Sequence, residues 1–123
     1  MVSVRYLVHD VGQAIAFYTR IGFALRQQFG PAMAIMARDD LTLWLAGPRA
    51  SAAKPMPDGR LPEPGGWNRF VLPVTDLAGL VATLRAQGIP FRNEILAGPG
   101  GRQILCEDPS GNVVELFEPA APS

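Results

Sequence analysis

Along residues 2–8, Val2, Val4, Tyr6 and Val8 alternate with Ser3, Arg5 and Leu7, a period of two that predicts a strand. Asp10 follows as an N-cap, its carboxylate placed to accept from the free N–H groups of a first helical turn. Val11, Ala14, Ile15 and Tyr18 then recur at helical spacing, with Phe17 and Ile21 widening the stripe. Gly22 stands where a helix ends in a left-handed residue. Three further strands are expected at 23–29, 33–38 and 41–46, the last with Leu41, Leu43 and Leu45 on one face. Gly30-Pro31 and Asp39-Asp40 turn the chain between them.

Residues 47–66 break the pattern. Pro48, Pro55, Pro57, Pro62 and Pro64 leave little room for a helix or a central strand, so this stretch reads as a mobile linker or lid. The pattern restarts with a strand at 67–74 and a cap at Asp76. Leu77, Leu80, Val81 and Leu84 form the helical stripe, and Gly88 stops it. A strand at 91–96, a glycine-rich turn at 97–101, a strand at 102–107, a tight turn at 108–112 and a last strand at 113–118 complete the expectation, with a frayed tail at 119–123.

The second half copies the first. Val8 to Val74, Asp10 to Asp76 and Gly22 to Gly88 are each separated by 66 residues. One unit of this kind cannot bury its own apolar face, so the repeat predicts two modules sharing one fold. The fold class is α+β: two tandem βαβββ modules, at 2–46 and 67–118 with the linker between them, forming curved mixed sheets around a cleft. All of it makes a single domain over 1–123.

Composition narrows the function. The chain has 123 residues, 48% of them apolar, enough for a packed core. Eleven basic and eleven acidic residues cancel, which argues against a broad nucleic-acid or membrane-surface footprint. No run approaches the roughly 18 apolar residues of a membrane span, and Arg5, His9 and Asp10 come too early for a signal peptide, so a cytoplasmic location is expected. Cys106 is the single cysteine and His9 the single histidine, so an intrachain disulfide is impossible and a metal site would lean on carboxylates.

The βαβββ order, Val-x-Asp before the first helix, Phe17-Tyr18 with Gly22-Phe23 after it, and Asp108-Pro109-x-Gly111-Asn112-x-x-Glu115-Leu116 near the end resemble the vicinal oxygen chelate superfamily. That group holds glyoxalase I, bleomycin-resistance proteins, fosfomycin-resistance enzymes, extradiol dioxygenases and methylmalonyl-CoA epimerase. The resemblance runs from about Val2 to Glu118. It implies metal-ligand positions on the first and fourth strand of each module, which here are Ser3, Trp44, Arg69 and Glu115. Glu115 alone is an ordinary ligand. Arg69 is permanently charged and has no lone pair to give, and Trp44 adds bulk without a donor atom. The expectation is a member without metal or other cofactor.

Strand alternation places Arg5 and Leu7 with Ser3, Thr42 and Ala46 with Trp44, Val71 with Arg69, and Val113 and Phe117 with Glu115 on the cleft side. Val4, Tyr6, Leu43, Leu45, Phe70, Leu72, Val114 and Leu116 then pack on the helices. A cleft lined by Ser3, Arg5, Trp44, Arg69 and Phe117 suits a small amphipathic or aromatic ligand, and either arginine suits an anionic group on it. The leading expectation is a homodimeric small-molecule-binding protein similar to the bleomycin-resistance proteins. The alternative is a glyoxalase-like lyase or isomerase with Glu115 as its catalytic general base. Structural roles compete with each: an Arg69–Glu115 ion pair filling the former metal space, Trp44 as core filler, and Glu115 as a residue of ancestry. His9 reads as a turn residue, Cys106 as a small buried hydrophobe and residues 97–101 as a hairpin rather than a phosphate loop.

Overall fold

A computed structural model of the chain describes residues 2–121. It divides into two compact units, Met1–Gly65 with Pro109–Asn112, and Gly66–Asp108 with Val113–Ser123. Among the described residues no helix is long and apolar enough to cross a membrane.

The first unit contains β1 (Val2–Leu7), α1 (Val11–Arg20), β2 (Ala24–Phe29), β3 (Met33–Arg38) and β4 (Leu41–Ala46). The sheet order is β1-β4-β3-β2, with β1 parallel to β4 and the other pairs antiparallel. The parallel pair needs a crossover, and α1 supplies it. Asp10 Oδ1 accepts from the Gln13 N–H at 2.8 Å, the expected cap. Val11, Ala14, Phe17 and Tyr18 are buried on the inner side of α1, as are Ala34, Met36, Leu43 and Leu45 in the sheet it packs on. Tyr18 is fully buried, with Phe17 and Phe23 edge-on at 4.9 and 5.5 Å.

The turn Pro109–Asn112 belongs to this unit. Asn112 donates from Nδ2 to the Leu7 carbonyl at 2.7 Å and accepts the Gly65 N–H at 2.8 Å, while the His9 N–H donates to Ser110 Oγ at 2.8 Å. The motif's asparagine therefore ties the end of the proline-rich segment at Gly65 to the end of β1 at Leu7. Residues 47–65 carry a short 3-10 turn at Ser51–Ala53 and no strand.

The second unit contains β5 (Val71–Pro73), α2 (Leu77–Ala86), β6 (Leu96–Gly98), β7 (Gly101–Glu107) and β8 (Val113–Pro119), ordered β5-β8-β7-β6 with β5 parallel to β8. Asp76 Oδ1 caps α2 through the Gly79 N–H at 3.1 Å. Leu77, Val81 and Leu84 are buried, as are Leu72, Ile104, Cys106, Val114 and Leu116. Two helices and eight strands in two four-stranded mixed sheets make the α+β, two-module architecture expected from the repeat.

Two strands are shorter than the pattern suggests. The strand expected at 67–74 is reduced to Val71–Pro73. Arg92 Nη1 takes the Gly66 carbonyl at 2.7 Å and Arg69 Nη1 takes the Trp67 carbonyl at 3.2 Å, so side chains occupy acceptors a ladder would use. The strand expected at 91–96 is broken: Phe91 bridges Cys106, then Asn93 Oδ1 accepts the Leu105 N–H at 2.9 Å in place of a backbone carbonyl. Pairing resumes at β6, which starts at the last residue of the expected strand, Leu96, and runs into the expected glycine turn. At the other end Pro119 closes β8 and the Ala120 N–H bonds the Gly100 carbonyl at 2.9 Å. The last two residues of the expected tail lie outside the described residues.

Candidate functional site

In the first unit, β1 and β4 run side by side in a register that pairs Ser3 with Thr42, Arg5 with Trp44 and Leu7 with Ala46. Leu43 and Leu45 point to α1 and are fully buried, so Trp44 stands on the opposite face, half-buried. The Ser3 hydroxyl is hydrogen-bonded to that of Thr42. The Arg5 guanidinium lies over the Trp44 indole, 5.0 Å from the ring centroid. Arg5 has no carboxylate partner among the described residues, which leaves its charge available to an anion. Leu7 and Ala46 line a pocket of about 210 Å³ together with Pro48, Leu61, Pro62 and Pro64, so the proline-rich segment borders one end of this face.

In the second unit, Val71 on β5 pairs with Glu115 on β8, and Leu105 on β7 pairs with Glu115 from the other side. Leu72, Val114 and Leu116 are buried on the helix side, which puts Glu115 on the opposite face. Glu115 Oε1 accepts from Arg69 Nη2 at 3.0 Å and from Nε at 3.1 Å. The Glu115 side chain is 9% exposed and that of Arg69 29%, so the pair is largely withdrawn from water. Oε2 takes no donor among the described residues. Phe117, farther along the strand, borders a hollow of about 440 Å³ with Leu96, Gly101 and Gln103.

The chain thus brings Ser3 to Thr42, Arg5 to Trp44 and Arg69 to Glu115, each within one unit. None of the four implied ligand positions offers a free metal donor set. The Ser3 hydroxyl is engaged by Thr42, Trp44 and Arg69 have no lone pair to donate, and Glu115 neutralises Arg69. Among the described residues no group of three or more His, Cys, Asp or Glu side chains could hold a metal ion. The residues present do not fit the metal that the family resemblance implies.

His9 is exposed in the turn before α1, as expected. Burial pushes the Cys106 thiol up to about 12, the opposite of an activated nucleophile. Trp67, Arg92 and Glu107 were not among the expected site residues. The Arg92 guanidinium lies 4.4 Å from the Trp67 ring centroid and its Nε donates to Glu107 Oε2 at 2.7 Å. Nothing in the local sequence signals this cluster, because Arg92 and Glu107 meet only through the pairing of residues 91–92 with β7.

The family model of the Glyoxalase/Bleomycin resistance protein/Dioxygenase superfamily matches residues 1–116, and the chain belongs to that superfamily. No curated protein matched the sequence. Among solved structures, a superfamily member from Sphaerobacter thermophilus is 27% identical, with a TM-score of 0.73 and 94% of each chain covered. An antibiotic binding protein from a Streptomyces species is 26% identical, with a TM-score of 0.70 over 96% of this chain and 93% of that one. Lactoylglutathione lyase from Agrobacterium tumefaciens is 21% identical, with a TM-score of 0.72 over 96% and 92%, a likeness of fold alone.

Proposed function

We propose that this protein binds a small aromatic or amphipathic molecule against the sheet faces that point away from the helices, without a metal ion and without turning the molecule over. The Arg69–Glu115 ion pair carries this reading: it stands where the resemblance puts a metal ligand, and it neutralises the one carboxylate a metal or a general base would need. Likeness to an antibiotic binding protein supports the same class. An anionic group on the ligand goes to Arg5, because Arg69 is already neutralised. Trp44 supplies the apolar, π-rich surface beside it. The lyase or isomerase reading with Glu115 as base is weaker, since Oε1 is held by two donors of one guanidinium. We further propose a homodimer in the cytoplasm; light scattering should then return about twice the 13.2 kDa chain mass.

Thermal shift with small carboxylates, flat aromatics and 2-oxoaldehydes tests the reading, because a ligand that binds the folded state raises Tm. Hits are expected among aromatic carboxylates, should weaken in Trp44→Ala and Arg5→Ala, and should be recovered unchanged after incubation. One tightly held metal ion per chain, or consumption of the ligand, would overturn it.

A further inference from the structure

We propose that Trp67 is a stacking residue of this protein: its outward indole face takes the flat, uncharged ring of an aromatic ligand. The proposal rests on the ligand-binding reading above and adds a residue and a ring chemistry to it. Trp67 is 67% exposed, an unfavourable place for the largest apolar side chain. Unlike an ordinary exposed hydrophobe it is held in place from two sides. The Arg92 guanidinium lies over one face of the ring, 4.4 Å from its centroid, and is fixed by Glu107 Oε2 and by the Gly66 carbonyl, both at 2.7 Å. The Trp67 carbonyl is held by Arg69 Nη1 at 3.2 Å, and Arg69 is held in turn by Glu115.

The cluster sits on the face that carries Glu115. The Arg92 N–H bonds the Leu105 carbonyl, Leu105 pairs with Glu115 and Glu107 pairs with Val113, so all of these side chains leave the sheet on one side. One ion pair thus backs the indole and the other anchors its backbone, while the residue stays 67% exposed. Fixing a side chain before binding removes an entropy cost that a ligand would otherwise bear. The charges decide what binds. Each arginine is matched by its own carboxylate, so no net charge is left for an anion, while the exposed indole favours a flat ring. This differs from Arg5, which has no carboxylate partner among the described residues.

Calorimetry on the full chain with acridone, flat and uncharged, and adamantan-1-ol, bulky and saturated, tests the proposal. Trp67→Leu should weaken acridone binding about tenfold and leave adamantan-1-ol within about twofold, and Trp67→Phe should restore most of the loss. Arg92→Leu, which frees the ring without removing it, should weaken acridone about threefold. Acridone binding unchanged in both Trp67→Leu and Arg92→Leu overturns the proposal while leaving the ligand-binding reading intact. Failure of the parent protein to bind acridone overturns the stacking proposal alone, and the ligand-binding reading falls only if the carboxylates and aromatics of the thermal-shift panel also leave Tm unchanged.

Discussion

In the first unit the start of α1 comes down on a glycine: a Cβ built at Gly47 would stand 2.8 Å from Val11 Cγ2. In the second, the equivalent position is Glu118, whose Oε1 accepts the N–H of Leu77, the first residue of α2, at 3.0 Å. The same exchange recurs three residues earlier, where Trp44 with Arg5 over it answers Glu115 with Arg69 bonded to it. The registers make these true equivalents, since Arg5 pairs with Trp44 as Val71 pairs with Glu115. The middle of the helix-facing side is apolar in both units, Leu43 and Leu45 in β4 answering Val114 and Leu116 in β8, whereas the other side differs at each of Thr42/Val113, Trp44/Glu115 and Ala46/Phe117. Packing constrains the first side to apolar residues of fitting volume. The second side has only to stay compatible with a sheet, so an indole and an ion pair are equally admissible there.

The strongest way to break the comparison is through the shared frame. Leu45→Ala and Leu116→Ala, both fully buried and at equivalent positions, should each cost about 2–5 kcal/mol by urea denaturation, and by similar amounts. A large imbalance would mean that the two frames are not equivalent. Next is the site difference. Arg69→Met leaves a nearly buried carboxylate unpaired and should destabilise by about 1–3 kcal/mol, most of it recovered in the Arg69→Met, Glu115→Leu double variant. Full additivity of the two changes would show that the pair is not coupled.

Two pH effects sharpen the comparison further. Cys106 lies at the position that Met36 holds in the first unit, and burial pushes its thiol up to about 12. The fold keeps the proton after the unfolded chain has lost it. Stability therefore falls as pH rises above the ordinary thiol range and keeps falling up to about 12. Cys106→Val should flatten that decline in a Tm-against-pH series, and thiol reagents should label the chain only after unfolding. The smallest effect is at Glu118, whose carboxyl is held below its ordinary value by the Leu77 N–H and then by Arg102. Its contribution is present above the ordinary carboxylate range and is lost as pH falls through the lowered value. Glu118→Gln should flatten the acid limb of the same series; an unchanged limb would remove the carboxylate cap from the comparison.

Much of the frame was legible in the sequence. Asp10 and Asp76 both cap, α1 and α2 begin 66 residues apart, and the leucines of β4 face the helix. These are local signals, a cap, a period and a stop, and local physics settles them. The failures are at 67–74 and 91–96, where the pattern reads as strand but Arg69, Arg92 and Asn93 take up backbone groups with their side chains. An arginine's reach depends on what the fold sets within a few ångströms of it, which hydrophobic periodicity does not encode.

The same division holds for the site. The sequence by itself determined that the implied ligand positions are Ser3, Trp44, Arg69 and Glu115, because residue identity and spacing suffice to show a missing lone pair. Only the tertiary structure decided how those residues are partnered: Arg69 neutralised by Glu115, Arg5 laid over Trp44, and Trp67 backed by an arginine far along the chain. Donor chemistry belongs to a single residue, whereas a salt bridge or a stacked ring belongs to a pair, and the sheet register selects which pairs exist.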